Sequence, residues 1–308
     1  MNKRAVIFPG QGSQFRGMGK GLSDDFENAR NLFETADNLL GEKISDVCFS
    51  GPDEKLKDTF YQQAAVFLVS AVCWDILRSR IEGMPDFYAG LSLGEYTALY
   101  AAGVVSFEDA VSLVKDRASF MAEAAAHNPS TMLAVIGLED KVLEENGNEG
   151  FYTANLNCPG QVVISLAKDK LEEVKSFLED KGAKKIVELQ VSGGFHSPFM
   201  KEAEDKLRDK IYSVSFNHSD IPIVSNVDAL PHTDKEEIRI NLIKQLTNPV
   251  LWQKSIEFMK NEGVRTFYET GPSKVLKGLL RKIDKSLSVI NFGSREDFLA
   301  NRRVDYEP

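Results

Sequence analysis

Short apolar runs broken by glycine-rich turns mark the first third of the chain. Ala5 to Phe8 is apolar throughout and predicts a short buried strand opening into the loop Pro9-Gly-Gln-Gly-Ser-Gln14. Ala64 to Trp74 is a nearly unbroken apolar run, well short of the roughly 20 residues a membrane span needs, and reads as a buried helix. Phe87 to Ala89 predicts a second strand, and Gly94 to Ala102 a helix closed by Gly103. Ser106 to Ala126 has helical periodicity, with Ser106 as N-cap and Asp109 in a capping-box position, and must stop near Pro129.

From Thr131 to Val191 the pattern changes to short alternating elements. Strand from Met132 to Gly137, helix from Asp140 to Glu145, and two strands about the turn Cys158-Pro-Gly-Gln161 come first. A helix with Leu171, Val174, Phe177 and Leu178 on one face, ending at Gly182, and a strand from Lys185 to Val191 complete the unit. The order β-α-β-β-α-β is that of a ferredoxin-like subdomain. The expected organisation is therefore an α/β core with a parallel sheet over residues 1–127 and 193–308, interrupted by an insert at 128–192. In the second half, Ser197-Pro198 caps and begins a helix, Ile221 to Asn226 and Arg265 to Glu269 read as strands, and Gly271-Pro272-Ser273 opens a helix running to Ile283.

Composition narrows the function. The 308 residues are 43% hydrophobic, enough for a sizeable core, and carry a formal charge of −9. Such an acidic chain does not suit a nucleic-acid surface, and no membrane partner is expected. Cys48, Cys73 and Cys158 have no metal-ligand spacing and read as reduced thiols. The basic start of the chain leads into too few apolar residues for a signal-peptide core, so a cytoplasmic protein is expected. The loop at Gly10 is not a dinucleotide fingerprint, because Phe15 stands where the third glycine would be.

The candidate chemistry centres on Gly90-Leu-Ser-Leu-Gly94. Strand, tight turn and helix in that order lift a serine hydroxyl into reach and leave the following N–H, that of Leu93, free to stabilise an oxyanion. The alternative for Ser92 is an ordinary helix cap. A serine nucleophile needs a base, and of four histidines, His127, His218 and His232 lie in junctions or polar turns and read as surface residues. His196, in Ser192-Gly-Gly-Phe-His-Ser-Pro198, follows a strand and precedes a helix N-terminus, whose positive end favours the neutral imidazole. It reads either as that base or as a structural turn residue. Asp109, Asp116, Asp140 and Asp169 all read as solvated, so a Ser-His pair oriented by a backbone carbonyl is expected. Such a pair suits thioester exchange, where a thiolate leaves with little help from an acid.

Two further features involve charge. Arg117 shares a helix face with Ala110, Leu113, Val114 and Met121, and its fork would grip a carboxylate on an acyl group. Otherwise it snorkels to solvent or pairs with an internal acid. Lys274, Lys277, Arg281 and Lys285 line one side of the last long helix, with Val275, Leu276, Leu279, Leu280 and Ile283 opposite. That stripe is a solvated face or a dock for an acidic partner.

Taken together, Phe8-Pro-Gly-Gln-Gly-Ser-Gln14, Gly90-Leu-Ser-Leu-Gly-Glu95, Arg117, Asn157-Cys-Pro-Gly-Gln-Val-Val-Ile164, Phe195-His-Ser197, Gln245 with Asn248-Pro-Val-Leu-Trp252, and Glu269-Thr-Gly-Pro272 resemble the malonyl-coenzyme A:acyl carrier protein transacylase family. The resemblance runs from about Lys3 to Ile290. It implies an α/β-hydrolase-like core with a ferredoxin-like insert, Ser92 as acylated nucleophile and His196 as its base. It also implies an oxyanion hole from the Gln11 and Leu93 N–H groups, Arg117 on the malonyl carboxylate, and Gln63 lining the pocket. Gln245 would orient the histidine through its main chain, and Phe195 would restrict space near the acyl α-carbon, disfavouring methylmalonyl. Leu91 stands where many members have histidine, a change of packing or of acyl-enzyme hydrolysis. The implied reaction is ping-pong transfer from malonyl-CoA to holo-acyl carrier protein by a monomer, with no metal or redox cofactor, serving fatty-acid or polyketide synthesis. An acyl-thioester hydrolase, or a scaffold that binds carrier protein without chemistry, are the other readings.

Overall fold

A computed structural model describes residues 3–139, 142 and 150–301. Its strands, in chain order, are β1 (Lys3–Phe8), β2 (Phe87–Gly90), β3 (Ser130–Ile136), β4 (Phe151–Cys158), β5 (Gln161–Ala167), β6 (Lys185–Glu188), β7 (Ile223–Val224), β8 (Pro231–His232), β9 (Val264–Thr270) and β10 (Ser288–Phe292). They form two sheets, ordered β10-β9-β1-β2-β7-β8 and β4-β5-β3-β6. The larger is parallel except for the hairpin-like β7–β8 pair. Its central strands are buried on both faces, which is why Ala5 to Phe8 reads as an unbroken apolar run rather than an alternation.

The helix Thr59–Arg78 packs over this sheet. Asp58 caps it, accepting from the Phe60 and Tyr61 N–H groups. At 20 residues it is longer than its apolar stretch and, by length and composition, long and apolar enough to cross a membrane. Its residues from Gln62 to Trp74 are all buried within the fold, and Trp74 meets Tyr88 edge-on at 5.4 Å. The helix Phe107–His127 lies beside it, capped by Ser106 Oγ, which accepts from the Asp109 N–H at 3.0 Å.

The smaller sheet is antiparallel, with β3 between β5 and β6 and the Pro159-Gly160 turn joining β4 to β5. Its strand order is that of a ferredoxin-like unit. The helix Leu171–Asp180 covers it through buried Val174 and Leu178. The expected helix from Asp140 to Glu145 lies, apart from Val142, outside the described residues. β6 ends at Glu188, short of Val191, because the chain turns there so that Leu189, Gln190 and Val191 line a cavity. The Ile221 to Asn226 strand shrinks to two residues for a related reason: Ser225 and Asn226 leave the ladder, and Asn226 turns its side chain to the β2 turn.

The small sheet is tied through β4 to the segment that leads into the helix Trp252–Asn261. Leu156 N–H donates to the Val250 carbonyl, and Val250 N–H to that of Ala154, each at 2.9 Å. The loop carrying His196 hangs from the smaller sheet: Ser165 Oγ donates to the Phe195 carbonyl at 2.6 Å, and Gly194 N–H donates to Ser130 Oγ at 2.8 Å. Cys48, Cys73 and Cys158 are all buried thiols, and burial holds those of Cys48 and Cys73 well above the usual thiol range.

Candidate active site

β2 ends at Gly90 and the helix Gly94–Ala101 begins four residues later, so the chain reverses within the intervening turn. The turn is too tight for side chains at its flanks. A Cβ on Gly90 would lie 1.9 Å from the Gly94 carbonyl carbon, and one on Gly94 would lie 2.1 Å from the Phe8 oxygen. Ser92 sits at the apex with φ 53°, in the left-handed region that a serine rarely adopts. Asn226 holds it there: its Oδ1 accepts the Ser92 N–H and its Nδ2 donates to the Gly90 carbonyl, each at 2.7 Å. Asn226→Ala removes both bonds from a buried, strained turn. An expected loss of about 2–3 kcal/mol of stability, read as a lowered unfolding midpoint, checks this role.

The structure brings Ser92 and His196 together. Ser92 Oγ lies 2.8 Å from His196 Nε2, and His196 Nδ1 donates to the Gln245 carbonyl at 2.8 Å. A carbonyl only accepts, so the proton of the neutral ring is on Nδ1 and Nε2 presents its lone pair to the hydroxyl. Burial, and then the positive charge of Arg117, lower the imidazole to about 4. The neutral ring expected from the sequence is present, and burial and the arginine favour it. Leu93 N–H and Gln11 N–H have no acceptor among the described residues, and Leu93 is the first residue past Ser92.

Arg117 is only 1% exposed and makes no ion pair among the described residues. Its Nη1 donates to Gln63 Oε1 at 2.6 Å, and its Nη2 is shared between Ser92 Oγ and Gln245 Oε1, both at 3.1 Å. The Tyr96 ring lies beside it, 5.3 Å from the guanidinium carbon. Neither snorkelling nor a direct internal ion pair describes this residue. A buried cation held only by neutral acceptors can receive an anion.

A cavity of about 470 Å³ opens at Ser92, walled by Gln62, Leu91, Met121, Asn157, Phe195 and His196 among others. Gln63, expected to line it, instead stands behind the arginine; its neighbour Gln62 faces the cavity and accepts from Gln11 Nε2. The helix Val275–Ile283 forms part of the mouth through Val275 and Leu279. Val275, assigned to its apolar side, is 45% exposed there, because the helix turns it toward the opening. Lys274, Arg281 and Lys285 are exposed and Lys277 partly so.

The remaining histidines lie elsewhere. His127 and His218 are exposed, beside Glu202 and Asp234. His232 is more covered than a surface reading allows, clamped between Asp228 and Glu237 at 2.9 and 3.0 Å. Asp116 pairs with Lys210, and no acid reaches His196 among the described residues. Two site residues escape the sequence reading. Asn226 gives only the weak signal of a polar residue ending an apolar strand. Glu95 is the one charged residue in the helix Gly94–Ala101, and it is 4% exposed; burial raises its carboxyl to about 7.

Comparisons with known proteins find relatives along nearly the whole chain. The model of the acyl transferase domain family matches residues 6–291. Malonyl CoA-acyl carrier protein transacylase of Bacillus subtilis strain 168 is 44% identical over 299 residues, spanning 94% of this chain and 93% of the relative. Among solved structures, an acyl carrier protein S-malonyltransferase from Vibrio cholerae superposes with a TM-score of 0.92 at 36% identity, covering 97% of this chain and 99% of that one. A malonyl-transacylase in complex with a type II PKS acyl-carrier protein superposes with a TM-score of 0.91 at 35% identity, covering 97% and 98%. With a serine at a strained strand-to-helix turn, a neutral histidine on its hydroxyl and these relatives along nearly its whole length, the chain belongs to the acyl transferase family, in the group of the malonyl CoA-acyl carrier protein transacylases.

Proposed function

We propose that the protein moves a malonyl group from malonyl-CoA to the phosphopantetheine thiol of holo-acyl carrier protein through an ester on Ser92. The observation that carries this reading is the buried Arg117, without an ion pair among the described residues, in contact with a hydroxyl bonded to a neutral imidazole. Ser92 Oγ gives its proton to His196 Nε2 and attacks the thioester carbonyl, and the oxyanion turns toward the Gln11 and Leu93 N–H groups. The C–S bond breaks, the imidazolium returns its proton to the leaving sulfur, and CoA departs. The carrier thiol then gives a proton to His196 and attacks the ester; the proton returns to Ser92 as malonyl leaves on sulfur. Arg117 holds the malonyl carboxylate, Gln245 fixes the histidine, and Phe195 bounds the space at the α-carbon. These steps involve no metal or redox cofactor. The units 1–127 with 193–308, and 128–192, are proposed as core and insert, meeting at this site.

Intact mass of the chain mixed with malonyl-CoA tests the reading: a gain of about 86 Da, one malonyl for one proton, that disappears when holo-carrier is added. A gain that decays equally fast without a thiol would instead indicate a hydrolase.

The depressed imidazole fixes the pH profile. The base works only when neutral, so acyl-enzyme formation by the free protein is expected to be lost as pH falls toward 4. The same shift destabilises the fold in acid, because an unfolded imidazole takes a proton near 6.5. This contribution is complete above 6.5 and is lost as pH falls toward 4. Initial rates of adduct formation across pH 3.5–8, with unfolding midpoints alongside, check both.

Lys274, Lys277, Arg281 and Lys285 lie along or just beyond the Val275–Ile283 helix, on the side away from the Val275 and Leu279 that reach the cavity, and this basic face is where an acidic carrier would dock. Arg281→Glu is expected to raise the KM for carrier protein about tenfold at low salt, with a smaller effect on loading from malonyl-CoA. Transfer kinetics at two salt concentrations check this.

A further inference from the structure

Glu95 and Gln245 are both buried behind the Ser92 turn, Gln245 completely. The Gln245 amide uses both of its donors and one acceptor site: Nε2 donates to Glu95 Oε2 at 2.5 Å and to the Ser92 carbonyl at 3.0 Å, while Oε1 accepts from Arg117 Nη2 at 3.1 Å. Reversing that amide would put its oxygen against a carboxylate and a carbonyl, and its N–H groups against a guanidinium. Glu95 therefore sets which end of Gln245 the arginine meets. The carboxylate stands one residue removed from the guanidinium. A carboxylate in direct contact would fill the fork that a substrate anion needs. A carboxylate behind an amide offsets part of the buried positive charge and leaves the Nη groups on neutral partners, among them the Ser92 hydroxyl, which a substrate carboxylate can replace.

We propose that Glu95 is a positioning residue for acyl-group selection, acting through Gln245 to hold the Arg117 fork open toward a substrate carboxylate; this rests on the malonyl reading above. A purely structural acid would support all substrates alike. Glu95 acts on the one group that distinguishes a charged acyl chain from an uncharged one.

The test compares the intact chain with Glu95→Gln, measuring KM and kcat of acyl-enzyme formation from malonyl-CoA and from acetyl-CoA. Glutamine keeps the volume but replaces an acceptor oxygen with an NH2 group, so Gln245 is free to reverse. The expected result is a fall of about tenfold in the malonyl-to-acetyl ratio of kcat/KM, carried by the malonyl KM. Equal losses on both substrates, or no change in the ratio, overturn the proposal. Should Glu95→Gln not fold, Glu95→Asp keeps the charge and withdraws it by one methylene. It is expected to lower the ratio by a smaller factor, and an unchanged ratio overturns the proposal there too. A wild-type chain that takes up acetyl but never malonyl defeats both this inference and the reading beneath it, whereas a malonylated wild type with an unmoved variant ratio defeats the inference alone.

Discussion

Ser92→Ala is expected to abolish the malonyl adduct and to lower carrier malonylation at least about 10⁴-fold, since no other hydroxyl among the described residues is bonded to His196. The change is well controlled by its surroundings. Alanine at φ 53° is about as strained as serine, and the Asn226 bonds to the turn are made by backbone groups that the substitution leaves in place. Arg117 Nη2 loses the hydroxyl but keeps Gln245. The fold and the CoA cavity therefore remain while the nucleophile is gone. Intact mass after incubation with malonyl-CoA, together with the rate of carrier malonylation, is the measurement, and retention of even a hundredth of the rate would move the acyl group to another residue.

Arg117→Ala carries the second largest expected effect, and its sign depends on the acyl group. For malonyl-CoA, kcat/KM is expected to fall about 10³-fold, the scale of a buried fork bonded twice to a carboxylate. For acetyl-CoA it is expected to rise relative to malonyl, because the buried charge in contact with Ser92 Oγ, which an uncharged chain leaves unsatisfied, is gone. The substitution also removes the cation that depresses His196, so the imidazole should titrate closer to its ordinary range. Arg117→Lys is the informative companion: a point charge replaces a fork, and recovery should be partial. Competition between the two thioesters, read as the ratio of adducts by mass, checks both variants.

Much of this arrangement is legible in the chain before folding. The turn around Ser92 is written locally, because a Cβ on either of its glycines would lie only 1.9 to 2.9 Å from backbone atoms. Arg117 stands out because helical spacing puts a charge on an apolar face. The absence of a triad acid can be read by elimination, and the carbonyl that replaces it belongs to Gln245, which the family resemblance supplies. What escapes is whatever depends on which side of a buried residue faces empty space. Gln62 and Gln63 are adjacent, alike and both buried, yet one meets the cavity and the other the arginine. Helical phase differs by only 100° between them, and no local pattern states where the cavity will open. Asn226 is hidden for another reason: its partners are more than 130 positions earlier in the chain. Val275 misleads because an apolar side chain is assumed to turn inward, whereas the rim of a binding site rewards the opposite.

The hydroxyl that would carry the acyl group is rooted in the large sheet, while the imidazole beside it is suspended from the small one through Ser165 and Ser130. Reactivity in this molecule is thus a property of how two layers are seated on each other. A slip of an ångström along the Ala154–Val250 seam would part the reacting pair with every strand still intact. Tolerance to mutation should accordingly be lowest along that join, including at positions far from any substrate.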